Sequence, residues 1–160
     1  PGIYWLITGS NADEGGRICT EKMQAFAASQ PQKAGFVQSL GLKRYLSAMA
    51  LAALVAGNSS SGVVETPSFG VPTVNIGSRQ AGRQICENVL CCPAEQTAIH
   101  AAIAKALSPE FAAAAKAARS PYNGGDTAQK ICTALKNALQ SGLLRTVKSF
   151  YDGEVPSFTL

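Results

Sequence analysis

Two short apolar runs bracket a small polar turn near the middle of this chain, and few folds accept that pattern. Leu51 to Ala56 leads into Gly57-Asn58-Ser59-Ser60-Ser61-Gly62, and Val63-Val64-Glu65 continues as the start of a helix. After Pro67 to Gly70 a second apolar run, Val71 to Ile76, ends in Gly77 and the basic stretch Arg79-Gln80-Ala81-Gly82-Arg83. Strand, turn, helix, strand, loop is the unit that builds parallel sheets, because parallel neighbours require a crossover.

The flanking sequence repeats the alternation. Ile3 to Thr8 is rich in β-formers, and Gly9 to Gly16 is a loop of turn residues. A helix is expected over about Arg17 to Ser29, with Ile18, Met23 and Phe26 as its apolar stripe. Gly35 to Gln38 reads as a short strand. Leu42 to Ala50 reads as helical, with Leu42, Tyr45, Leu46 and Met49 at i, i+3, i+4 and i+7. Leu51 to Ala56 contains the next strand, and Asn88 to Cys91 another. Ala94 to Ala106, Ser108 to Arg119 and Thr127 to Leu139 are helical, the second opened by Ser108 as cap and Pro109 at the first helical position. The fold class that follows is α/β, a mostly parallel sheet flanked by helices.

With 160 residues the chain suffices for one domain that buries roughly 70% of its unfolded surface. Apolar residues at 46% and charged residues at 15% exclude disorder. The net charge of +4 is scattered without a basic run, which argues against nucleic acid as a partner. Tyr45 to Gly57, the longest low-charge run, falls far short of the ~20 residues that span a bilayer, so no membrane partner is expected. Cys19, Cys86, Cys91, Cys92 and Cys132 form no CxxC pair and no metal-ligand spacing. They read as buried, reduced thiols in a cytoplasmic protein that uses no metal and no cofactor. The opening at Pro1, within a strand, reads as an incomplete chain. The tail after Tyr151 carries no clear pattern.

Ligands of open parallel sheets bind beyond the carboxyl ends of the strands. Four loops leave those ends here: 9–16, 39–41, 57–62 and 77–83. In the serine-rich turn, a helix start offers unpaired N–H groups and partial positive charge to a phosphate, and Ser59, Ser60 and Ser61 add hydroxyls. Gly62 lets backbone come close. One serine would suffice to cap the helix, and three lie in a row. Glu65 repels phosphate but can accept from both hydroxyls of a ribose, or simply favour the helix dipole. Arg79 and Arg83 carry forks that match phosphate oxygens or form an ion pair with Glu65 or Asp13. Asn11 and Asp13 either touch a ligand or close an Asx-type turn. His100 stands among alanines in mid-helix, far in sequence from these loops, and reads as a surface or packing residue. The Tyr122-Asn123-Gly124-Gly125-Asp126 turn either approaches a phosphate or is a loop with an Asp cap.

The central stretch, Gly57 through Glu65 with Pro67 to Gly77, Arg79-Gln80 and Gly82-Arg83, resembles the UDP-N-acetylglucosamine 2-epimerases. It looks most like the hydrolysing branch. Ser10-Asn11-Ala12-Asp13, Ser39-Leu40-Gly41 with Tyr45-Leu46, and Pro121 to Gly125 follow in family order, covering nearly the whole chain up to the tail.

The resemblance implies a glycosyltransferase-B-like pair of Rossmann-like domains with a UDP-sugar in the cleft. Residues 1–150 match the C-terminal, UDP-binding domain, 151–160 are a tail, and the N-terminal domain lies outside this chain. It implies phosphate contact by Ser59 and Ser60, ribose contact by Glu65, a UDP-side contact by Arg79 and another by Asn11. Leu40 matches the stretch whose backbone lies near uracil; Ser61, Gly62 and Arg83 are further candidates. The implied reaction abstracts the proton beside the acetamido group, expels UDP to leave a 2-acetamidoglucal, and adds water to give N-acetylmannosamine for sialic acid synthesis. Its catalytic groups are expected mainly in the N-terminal domain, and the complete enzyme is expected to be a homo-oligomer. The alternatives are a non-hydrolysing epimerase giving UDP-N-acetylmannosamine, a UDP-sugar glycosyltransferase, and a non-catalytic nucleotide-binding fragment.

Overall fold

The computed structural model describes residues 2–11 and 15–142. They divide into two compact units, one ending at Tyr122 and one beginning at Asn123. The expected tail, 151–160, lies outside the described residues.

The first unit alternates strands and helices as the sequence implies. Strand β1 (Trp5–Thr8) is followed by helix α1 (Gly16–Ser29), β2 (Ala34–Val37) and α2 (Gly41–Leu51). Next come β3 (Val55–Gly57), two single-turn helices, α3 (Ser61–Val64) and α4 (Thr66–Phe69), then β4 (Thr73–Ile76) and β5 (Val89–Cys92). Helices α5 (Gln96–Ala106) and α6 (Pro109–Ala117) complete the unit. The second unit carries α7 (Thr127–Gln140).

All strand pairs are parallel, as the crossovers require. They form two sheets, β1-β2 and β3-β4-β5. Between them lies a largely apolar cleft of about 740 Å³, walled by Trp5 and Leu6 of β1, Val55 of β3, and Met49, Ile103 and Leu107. β4 is central in its sheet, pairing Val55 with Thr73 on one side and Thr73 with Val89 on the other. Its residues Thr73, Val74 and Asn75 are correspondingly buried, as expected for a strand covered on both faces. Helix α5 packs on β4 and β5, and α3 on β4.

Three local expectations change. Helix α2 runs on through Leu51, so β3 is only Val55–Gly57, and Leu51 is 88% exposed. A short apolar run does not by itself distinguish strand from helix end. The stripe assigned to α1 is exposed, and Gly16 and Ala27 are the buried residues of that helix. At about 100° per residue, Ile18, Met23 and Phe26 spread over some 140° and never form a narrow face. Leu42, in the first turn of α2, is likewise exposed, whereas Met49 in its last turn is buried. The cap at Ser108 is as expected: its Oγ accepts from the Phe111 amide at 3.2 Å.

The thiols also differ from expectation. Cys86 is buried and Cys92 half-buried, while Cys19, Cys91 and Cys132 are exposed. Desolvation, and then the neighbouring Cys91, push the Cys92 thiol above its ordinary pKa.

Candidate nucleotide-binding groove

The loops that leave β1, β2, β3 and β4 converge on one groove of about 780 Å³. They contribute Asn11, Leu40, Ser59 and Arg79, and Ser61 and Glu65 line it from α3 and its end. Ser60 is exposed beside the groove. Gly62 is buried and borders the apolar cleft instead, and Arg83 is exposed and lines neither space.

Local geometry explains how each side chain reaches the groove. Ser10 fastens the β1 loop to the start of α1: its Oγ donates to the Gly16 carbonyl at 2.6 Å and lies 3.1 Å from Thr20 Oγ1. Asn11 is the residue that follows. Leu40 stands at the N-cap of α2, and the Gly41 amide donates to Ser39 Oγ at 3.3 Å. Gly41 takes φ 65°, a left-handed turn that admits glycine without Cβ strain.

The serine turn is organised differently from a simple helix cap. Ser60 holds the N-cap position with helical dihedrals and no side-chain cap bond. Ser59 Oγ accepts from the Ser61 amide at 3.3 Å, and the Gly62 amide donates to the Ser59 carbonyl at 3.1 Å. Because α3 is a single turn whose leading amides are engaged inside the turn, a long-helix dipole is not available. Attraction for an anion rests on hydroxyls and guanidinium. Ser61 Oγ in turn lies 2.8 Å from Tyr45 Oη, tying the turn to α2.

Glu65 does not sit in the first turn of a helix. It is the C-cap of α3 and the N-cap of α4, so the helix-start dipole account does not apply to α3. Its Oε2 is buried without a hydrogen-bond partner among the described residues, at the edge of a groove. A buried carboxylate oxygen with unused acceptor capacity suits a hydroxyl donor.

Two residues important to this geometry were hard to single out beforehand. Tyr45 sits in the periodic pattern of α2, which predicts packing and says nothing of its hydroxyl. Gln80, between two more conspicuous arginine candidates, is 5% exposed, and its Nε2 donates to the Asn58 carbonyl at 2.8 Å. Its signal was the placement of an uncharged amide where a basic loop leaves a strand.

His100 is exposed on α5. In the second unit, Asp126 occupies the N-cap of α7 at φ 45° without a side-chain cap bond, and Lys130 Nζ donates to the Gly124 carbonyl. Among the described residues no helix is long and apolar enough to cross a membrane, and no group of three or more His, Cys, Asp or Glu is arranged to hold a metal.

Residues 2–136 match the sequence model of a family described as UDP-N-acetylglucosamine 2-epimerase. The chain belongs to the UDP-N-acetylglucosamine 2-epimerase family. Among its curated relatives, a GDP/UDP-N,N'-diacetylbacillosamine 2-epimerase (hydrolyzing) of Campylobacter jejuni is 39% identical over 106 residues, which is 66% of this chain and 27% of that protein. The polysialic acid biosynthesis protein P7 of Escherichia coli is 31% identical over 148 residues, 92% of this chain and 37% of that one. A UDP-N-acetylglucosamine 2-epimerase of Neisseria meningitidis is 33% identical over 90 residues, covering 56% of this chain and 22% of that one. This member of the 2-epimerase family therefore spans well under half the length of the relatives it matches.

Proposed function

We propose that this chain supplies the UDP-holding half of a hydrolysing UDP-N-acetylglucosamine 2-epimerase, with residues 1–150 as the UDP-binding domain. The observation that carries the reading is the single groove into which four strand-end loops bring Asn11, Leu40, Ser59 and Arg79, and the end of α3 brings Glu65. Arg79 and the hydroxyl of Ser59 in the groove, with that of Ser60 at its side, would hold the diphosphate, and Ser61 lines the groove next to them. Glu65 would accept from the ribose hydroxyls through its buried oxygen, and the backbone at Leu40 would lie along the base.

A diphosphate held this way is a stabilised leaving group. Loss of the proton at C2 with departure of UDP forms the 2-acetamidoglucal. Addition of water across that double bond then releases free N-acetylmannosamine. The proton-transfer groups belong to the opposing domain wall, outside these residues. The chain alone is therefore expected to bind UDP weakly and to turn over nothing.

Two relatives described as hydrolyzing, from Campylobacter jejuni and Legionella pneumophila, support the hydrolytic outcome. Both are named for diacetylbacillosamine, which favours a second reading: a 2,4-diacetamido sugar on the same nucleotide. The deciding experiment incubates the protein from its whole reading frame with UDP-N-acetylglucosamine and with UDP-diacetylbacillosamine. Free 2-epimerised sugar plus UDP supports hydrolysis and identifies the substrate. A UDP-linked epimer would replace it with the non-hydrolysing reading, and dependence on an acceptor would indicate a glycosyltransferase.

A further inference from the structure

The serine turn is held from its buried side at both ends. At the far end, Thr66 Oγ1 donates to the Gly62 carbonyl at 2.7 Å, within a buried cluster with Thr73 and Asn88. At the near end, the hold is Gln80, whose Nε2 donates to the Asn58 carbonyl across 22 positions of sequence. Gln80 is also the direct neighbour of Arg79, which lines the groove. The two loops proposed to face the diphosphate are thus joined by one side-chain amide.

We propose that Gln80 is the positioning residue of the diphosphate site, setting the serine turn and Arg79 in register so that they bind two phosphates as one unit. The inference rests on the UDP reading of the groove. Three features support it. The side chain is nearly fully buried and, unlike Arg79 and Glu65, does not line the groove. Its Oε1 is buried with no partner among the described residues, so the hydrogen bonding of this side chain is directed to the turn through Nε2. The bond restrains Asn58, the residue immediately before Ser59, in a segment that follows Gly57 at φ 152° and would otherwise have wide backbone freedom. Gln80 bonds neither Glu65 nor Leu40 directly, so contacts to ribose and base are expected to depend on it less than contacts to the diphosphate.

That difference makes the test specific. In the protein from its whole reading frame, UDP, UMP and uridine binding are measured by calorimetry for wild type, Gln80→Leu and Gln80→Glu, with melting temperatures alongside. Gln80→Leu is expected to weaken UDP about tenfold, UMP less, and uridine by under about twofold, at a melting temperature that still reports a folded protein. Gln80→Glu supplies a donor only when protonated. Its UDP affinity, taken as a ratio to wild type at each pH, is therefore expected to recover as pH falls. Equal weakening of UDP and uridine, or no weakening of either, overturns the proposal while leaving the groove intact as a UDP site. Wild-type protein that binds no UDP overturns the UDP reading and the brace with it. Should Gln80→Leu fail to fold, the pH-dependent ratio in Gln80→Glu decides, a flat ratio overturning the proposal.

Discussion

The phenol of Tyr45 lies 2.8 Å from the hydroxyl of Ser61, so a residue one turn into α2 holds the first residue of α3. Both line the groove, and Tyr45 and Ser59 also border the apolar cleft. The contact joins α2, the helix that follows the β2 loop, to the turn after β3. Tyr45→Phe removes the hydrogen bond and keeps the ring. The expected cost in stability is about 1 kcal/mol, with a few-fold loss of UDP affinity. Chemical denaturation and calorimetry on the same preparation check both.

Glu65 places a buried, unpartnered carboxylate oxygen at the groove. If it receives ribose hydroxyls, Glu65→Gln should weaken UDP by about tenfold or more, since hydrogen bonds to a charged acceptor are the stronger kind. The same variant should barely affect a 2',3'-dideoxy UDP, which has no hydroxyl to donate. Selectivity between the two ligands, measured in competition, is the informative quantity. An unchanged ratio would remove ribose from the assignment.

Asn88 is fully buried and donates to Thr66 Oγ1 at 3.1 Å and to the Val71 carbonyl at 2.8 Å. Asn88→Ala leaves that carbonyl and the threonine pair short of a donor and opens a small cavity. A loss of about 2–4 kcal/mol is expected, read as a lower denaturant midpoint with little change in slope.

Gly70 ends α4 in the left-handed region at φ 62°, and an added Cβ would come within 3.0 Å of Lys116 Cα in α6. Gly70→Ala should therefore cost about 1–3 kcal/mol, and Gly70→Asn less of the backbone part, in thermal melts. The close approach to α6 backbone is the reason neither replacement is neutral.

Cys91 is exposed, and burial raises the pKa of its half-buried neighbour Cys92. A raised thiol pKa means less thiolate at neutral pH, and thiolate is the reactive form. Iodoacetamide at pH 7.5 is thus expected to label Cys19, Cys91 and Cys132 first, Cys92 slowly and Cys86 last, roughly in order of exposure. Labelling of Cys92 should accelerate as pH rises toward its shifted pKa, as peptide mass spectrometry would show.

The alternation of strands and helices was readable in the chain because crossovers and periodicity are local properties. The strand within 71–76, the turn at 57–62 and the Ser108 cap appear where local chemistry puts them, whereas the run at 51–56 begins as the end of α2 and becomes strand only at Val55. The meeting of four loops was readable too, since parallel strands present their carboxyl ends on one side. The exposure of Ile18, Met23 and Phe26 was not, because an apolar residue's burial depends on what stands opposite it.

The serine-rich turn illustrates the boundary best. Its residue types, by themselves, determined that an anion-compatible turn would follow a strand in a parallel α/β unit. Tertiary structure alone decided how that turn is held. Glu65 stands between two one-turn helices, Ser61 is tied to Tyr45, and the Asn58 carbonyl is held by Gln80. The reason is physical: propensity and spacing act over a few residues, whereas those bonds join positions 16 and 22 residues apart that meet only when the chain is packed.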